Sequence, residues 1–125
     1  MFYVISPPER TEWRLDQDVF VRSLLSDWPG ITIHPPEPDS PTRSVVWSME
    51  DPEGGSKWLE GSLDREGQAH YLRGDLGLSA EFAQWLRREV DRKQPLVFSD
   101  EAFTHVISLT AEGSAAAIVD AYAVM

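Results

Sequence analysis

The side chains able to carry acid–base or metal chemistry are few in kind. The chain holds three histidines, 21 Asp and Glu residues and no cysteine. Without thiols, disulfides, thiolate catalysis and Cys-ligated metals are excluded. His34, His70 and His105 form neither an HxH pair nor an HExxH run, so a metal site would need ligands gathered from distant positions. His70 falls where a strand faces the core, the place of a hydrogen-bonded structural histidine. His105 follows Asp100-Glu101 closely, and an acid–imidazole pair across that loop could exchange protons. A strand-end histidine beside an acidic loop is the plainer reading. No GxSxG elbow surrounds a serine, and Gly61-Ser62 lies inside a strand pattern. Neither GxGxxG nor a P-loop occurs. Gly74-Asp75-Leu76-Gly77-Leu78-Ser79 reads as a strand-to-helix turn with weak anion-binding potential. Among the many acids no feature selects a pair set for glycoside hydrolysis. The expectation is a protein without catalytic residues, cofactor or metal.

Charge and aromatic content point to binding instead. Lys and Arg total 11 against the 21 acids, a formal charge of −10. Phosphate recognition needs a basic footprint, so nucleic acid and anionic membrane are disfavoured. A basic protein partner is favoured, although acidity also serves solubility. The basic run Arg87, Arg88, Arg92 and Lys93 is explained by its place at a helix C-terminus, where cations complement the dipole. Five tryptophans stand in 125 residues. Trp28, Trp47 and Trp85 fall on apolar stripes and belong to the core, whereas Trp13 and Trp58 do not. Tryptophan is favoured at interface hot spots.

The elements that must position these residues follow from periodicity. Phe2–Ile5 reads as a strand. Asp16–Trp28 reads as a helix with Val21, Leu24, Leu25 and Trp28 as its apolar stripe, ended by Pro29-Gly30. Ile31–Ile33 is a short strand. Pro35, Pro36, Pro38 and Pro41 make a stiff connector that formally matches PxxP spacing. Ser44–Glu50, Ser56–Asp64 and Gln68–Arg73 form an antiparallel meander joined by short Gly-containing loops. Ser79–Lys93 is the strongest helix, with Ser79 as N-cap and Phe82, Trp85, Leu86 and Val90 buried. Leu96–Phe98 and His105–Leu109 are two more strands. Thr110 caps a last helix, 111–123, presenting Ile118, Ala121 and Tyr122. The expected fold class is α+β: an antiparallel sheet with a central three-stranded meander and about three helices packed on one face, in a single domain spanning 1–125.

Alternation assigns the faces of the meander. Val45, Trp47, Met49, Leu59, Gly61, Leu63, His70 and Leu72 form the core side. Val46, Ser48, Glu50, Trp58, Glu60, Ser62, Tyr71 and Arg73 form the other. Equal turns would set Trp58 across from Arg73 and Glu60 across from Tyr71, so Trp58 either packs on Arg73 or stands ready as an anchor ringed by acids. Trp58, Glu60, Tyr71 and Arg73 are the first candidates for partner binding. Asp100 and Glu101 in the Ser99–Thr104 loop are the second.

The segment Leu96-Val97-Phe98-Ser99-Asp100-Glu101, followed by Val106–Leu109 and a short helix, resembles the ends of small bacterial proteins. With the size and acidity, the whole chain resembles immunity proteins that neutralise polymorphic or contact-dependent toxins. The resemblance implies a small acidic cytoplasmic inhibitor that blocks a basic toxin sterically and electrostatically. It transfers no individual residue role. The alternatives are an acidic secretion chaperone or adaptor, which would be a homodimer, and a small enzyme or ligand-binding domain using His105 with Asp100 or Glu101. Met1–Ile5 is too short for a signal peptide and lacks a basic leader. No run approaches the roughly 20 apolar residues that span a bilayer. A cytoplasmic location is the expectation.

Overall fold

The computed structural model describes residues 2–34, 43–51 and 53–123. The proline-rich connector, 35–41, lies outside them. In chain order the elements are β1 (Phe2–Ser6), α1 (Gln17–Asp27), β2 (Thr32–His34), β3 (Arg43–Glu50), β4 (Trp58–Asp64), β5 (His70–Gly74), α2 (Leu76–Glu89), β6 (Val97–Asp100), β7 (Val106–Ser108) and α3 (Ala115–Ala123). The strands form one antiparallel sheet in the order β2-β3-β4-β5-β1-β6-β7, an α+β architecture. β1 lies inside this sheet, between β5 and β6. Its run Tyr3-Val4-Ile5 is buried on both faces, which is why it lacks apolar–polar alternation.

The three helices share one core with one face of the sheet. Trp47, Leu59, Leu63, Leu72, Tyr3, Ile5 and Phe98 supply the strand side, Phe20 and Leu24 come from α1, Phe82 and Leu86 from α2, and Ile118 from α3. The meander faces are those expected from alternation. At the centre, the Trp47 indole N–H donates to His70 Nε2 at 2.9 Å, which makes His70 the expected structural histidine. Phe82 packs on both rings, at centroid separations of 4.7 and 4.9 Å.

The structure corrects several details. Glu60 stands opposite Arg73 and Ser62 opposite Tyr71, two residues away from the expected register. The β4–β5 connection is longer than a tight hairpin: Asp64 N–H bonds the Ala69 carbonyl, and Gly67 takes the positive φ of 71° that closes the turn. Gln68, the extra residue, uses its side-chain amide to hold the carbonyls of Thr11 and Trp13. Trp13 thereby packs, partly buried, against the core.

In α1 the inward pair is Phe20 and Leu24, while Leu25 is 53% exposed. Phe20 sets the rotation of the helix by packing edge-on against His70, at 5.2 Å between centroids. Asp16, at the N-cap, accepts from the Val19 N–H.

α2 begins a turn earlier than expected. Asp75 is the N-cap and accepts from the Leu78 N–H at 3.0 Å, leaving Ser79 buried within the helix. Aspartate caps as well as serine does, and the earlier start adds Leu78 to the buried face. The helix ends at Glu89. There Arg87, 3% exposed, donates to the carbonyls of Val90, Asp91 and Gln94. Arg87 is therefore a buried C-terminal cap within the basic run.

α3 begins at Ala115 with Ser114, not Thr110, accepting from the Ala117 N–H. The Thr110 carbonyl instead receives the Gln84 side-chain amide, tying the start of this segment to α2. No helix among the described residues is long and apolar enough to cross a membrane.

Candidate interaction surface

The face of the sheet turned away from the helices takes its side chains from alternate positions of the same strands that build the core. Trp58 and Glu60 come from β4, Tyr71 and Arg73 from β5, and Phe2 from β1, where Phe2 stands opposite Arg73. Phe2, Trp58 and Tyr71 are 46%, 43% and 41% exposed. An aromatic side chain held at this level on a sheet keeps a large apolar area in water, which is the material of an interface anchor.

Arg73 organises this patch. Its guanidinium carbon lies 5.6 Å from the Phe2 ring centroid and 5.7 Å from that of Trp58. Both distances fall within the range of cation–π attraction. One of its nitrogens is 4.0 Å from a Glu60 carboxylate oxygen. That loose, solvent-screened pair contributes little to stability. It does offset the positive charge, so the face is not repulsive to a cationic partner. Beside it, Phe2, Val46, Glu60, Ser62, Tyr71 and Arg73 line a shallow hollow of about 160 Å³. Val4, Ser62 and Ser99, on the same face, are buried between the larger residues.

Four of the six sequence candidates, Trp58, Glu60, Tyr71 and Arg73, thus gather in one place. Asp100 does not join them, and Glu101 lies in the exposed turn that follows β6. Asp100, the last residue of β6, stands opposite the core residue Tyr3, on the helix side of the sheet. Its carboxylate accepts from the Thr104 N–H, the Thr104 hydroxyl and the His105 N–H, and so pins the β6–β7 loop. The Thr104 hydroxyl, followed by those backbone N–H groups, holds the Asp100 carboxyl below its ordinary range. The His105 ring packs on Tyr122 at 4.7 Å, and the Tyr122 hydroxyl donates to the His105 carbonyl. Burial, reinforced by Asp100, pushes that hydroxyl up to about 12. The Asp100 carboxylate therefore bonds the backbone of His105 and not its imidazole, in keeping with the plainer reading of a strand-end histidine beside an acidic loop. Replacing Asp100 by alanine should speed amide hydrogen exchange at Thr104 and His105 while leaving the meander unchanged. Equal exchange in both proteins would refute the pinning role.

Sequence reasoning missed Phe2 as a member of the patch. Alternation puts Phe2 and Val4 on one side of β1, but no local signal places β1 beside β5. It also missed Phe103, which is 55% exposed at a φ of 55° on the loop that Asp100 pins. No group of three or more His, Asp or Glu side chains among the described residues could hold a metal ion.

No family model, no curated protein and no solved structure matches this chain.

Proposed function

We propose that the protein is a binding module that receives a basic protein on the helix-free face of its sheet. Its most concrete form is an immunity protein that neutralises a basic toxin by steric and electrostatic blocking, in the cytoplasm. One observation carries the reading: the exposed rings of Phe2 and Trp58 meet at Arg73 beside Glu60, with the exposed Tyr71 on the same face, opposite the helices. Net charge supplies the long-range attraction, since a chain at −10 draws a cationic partner and repels anionic ones. The aromatics then supply the short-range anchor, because desolvating a ring gains more than covering a small polar residue.

The test is capture from source-cell lysate with the wild-type protein and Trp58→Ala side by side, across a salt series. The expected result is a basic protein recovered at low salt, weakened at high salt and lost with the variant. Trp58→Ala should itself fold with stability within about 1 kcal/mol of wild type, because the residue is half exposed. Equal recovery by both baits would remove the face from the interface. A large drop in the variant's melting temperature would show Trp58 to be a structural residue.

A further inference from the structure

Trp58 stands between two different surroundings. On its β5 side is Arg73, stacked on the ring and 4.0 Å from Glu60. Toward β3 and β2, Trp58 borders a larger hollow of about 680 Å³. Thr32 of β2, Ser48 and Glu50 of β3, Asp51 of the following turn and Glu60 of β4 line this hollow with Trp58. Three of these residues are carboxylates, and no Lys or Arg is among the described lining. Pairing fixes the arrangement: Glu50 is opposite Trp58, and Ser48 is opposite Glu60. The hollow thus sets Trp58 beside carboxylates as Arg73 has Trp58 beside Glu60, with Glu60 shared between the two.

We infer that this hollow receives an arginine side chain of the basic partner. The inference rests on the docking reading above and names the group recognised. The guanidinium stacks on the β3 side of Trp58 and directs its N–H groups at Glu50 and Glu60. Three features converge on this occupant: the chain's overall negative charge, the continuity of the hollow with the aromatic patch, and the internal precedent of Arg73 on the same ring. Arginine fits better than lysine, because its planar group stacks on indole while its edge donates to a carboxylate. An ammonium is a more strongly hydrated point charge and gains less from the ring.

The experiment titrates the full-length, 15N-labelled protein with an oligo-arginine peptide and, separately, with oligo-lysine. Amide shifts, the Trp58 indole N–H and the dissociation constants are read together. Shifts should concentrate at Thr32, Ser48, Glu50, Glu60 and the Trp58 indole, with oligo-arginine binding several-fold more tightly. Trp58→Ala should weaken binding about tenfold. Glu50→Gln, a mild exchange on an exposed side chain, should weaken it about threefold and keeps the test open if Trp58→Ala fails to fold. Shifts confined to Phe2, Val46 and Tyr71 would keep docking on this face and overturn the hollow as the arginine seat. Shifts scattered over acidic residues on every side, with Glu50→Gln and Trp58→Ala unchanged, would overturn both. Equal affinity for the two peptides would overturn the stacking role of Trp58.

Discussion

Alanine at Gly61 should destabilise the protein by about 3 kcal/mol or more, a cost at the upper end for overpacking a core. Gly61 lies on the core side of β4, directly opposite Trp47. A Cβ added there would stand 2.1 Å from Trp47 Cζ2, 2.3 Å from Cε2 and 2.7 Å from Nε1. Such separations are far inside van der Waals contact, so the ring or the strand would have to move. The indole has little freedom to do so. It is fully buried, packs on Phe82 and donates to His70. Sliding it away would also leave a buried donor and a buried acceptor without partners, at roughly 1–3 kcal/mol each. The expected result is a large drop in urea midpoint with little change in slope. Combining Gly61→Ala with Trp47→Leu should cost less than the two single changes added together, because the smaller side chain removes the clash. Additive costs, or a Gly61→Ala protein as stable as wild type, would show that the ring does not occupy the space above Gly61.

Acidification should weaken the fold through His70. Burial pushes this imidazole down to about 3 from its ordinary 6.5. Its Nε2 accepts from Trp47, so the proton of the neutral ring sits on Nδ1, a buried atom without a hydrogen-bond partner. Below pH 6.5 the unfolded chain takes up a proton at this site, whereas the folded chain stays neutral until about pH 3. The unfolded state therefore binds more protons in this interval, and stability falls as pH drops, by about 1.4 kcal/mol per unit. Over the whole interval the loss approaches about 5 kcal/mol, comparable with the total stability of many small domains. Denaturant melts between pH 6.5 and 5, where most carboxylates remain ionised, isolate the effect. His70→Gln is the control, since its amide oxygen can accept from Trp47 but does not titrate. Its stability should start lower and vary little over the same range. Parallel pH profiles for the two proteins would remove His70 as the cause.

How much of this was legible in the sequence depends on whether a feature is local. The faces of the meander were legible because strand side chains alternate with period 2, so Val45, Trp47, Met49, Leu59, Leu63 and Leu72 could only share a side. The register was not. The β4–β5 turn is longer than its glycine suggested, and the pairing moved by two residues. An even shift preserves every face, which is why Trp58, Glu60, Tyr71 and Arg73 still came out together although their partners changed. Helix starts were ambiguous for a related reason. Asp75 and Ser79 are both competent caps, and burial of Leu78 against the core favours the earlier one. The same competition rotated α1 toward Phe20 and left Leu25 in water.

The sequence by itself determined the α+β class, the acidity, the core side of the central strands and the structural role of His70. Only the tertiary structure decided that β1 enters the sheet between β5 and β6. That placement brings Phe2 onto Arg73 and turns a lone Trp58 into an aromatic cluster, while Asp100, opposite the core residue Tyr3, falls on the helix side. The physical reason is that pairing between distant strands follows from the total area they bury together and the loops that must close. No short window of residues encodes that sum.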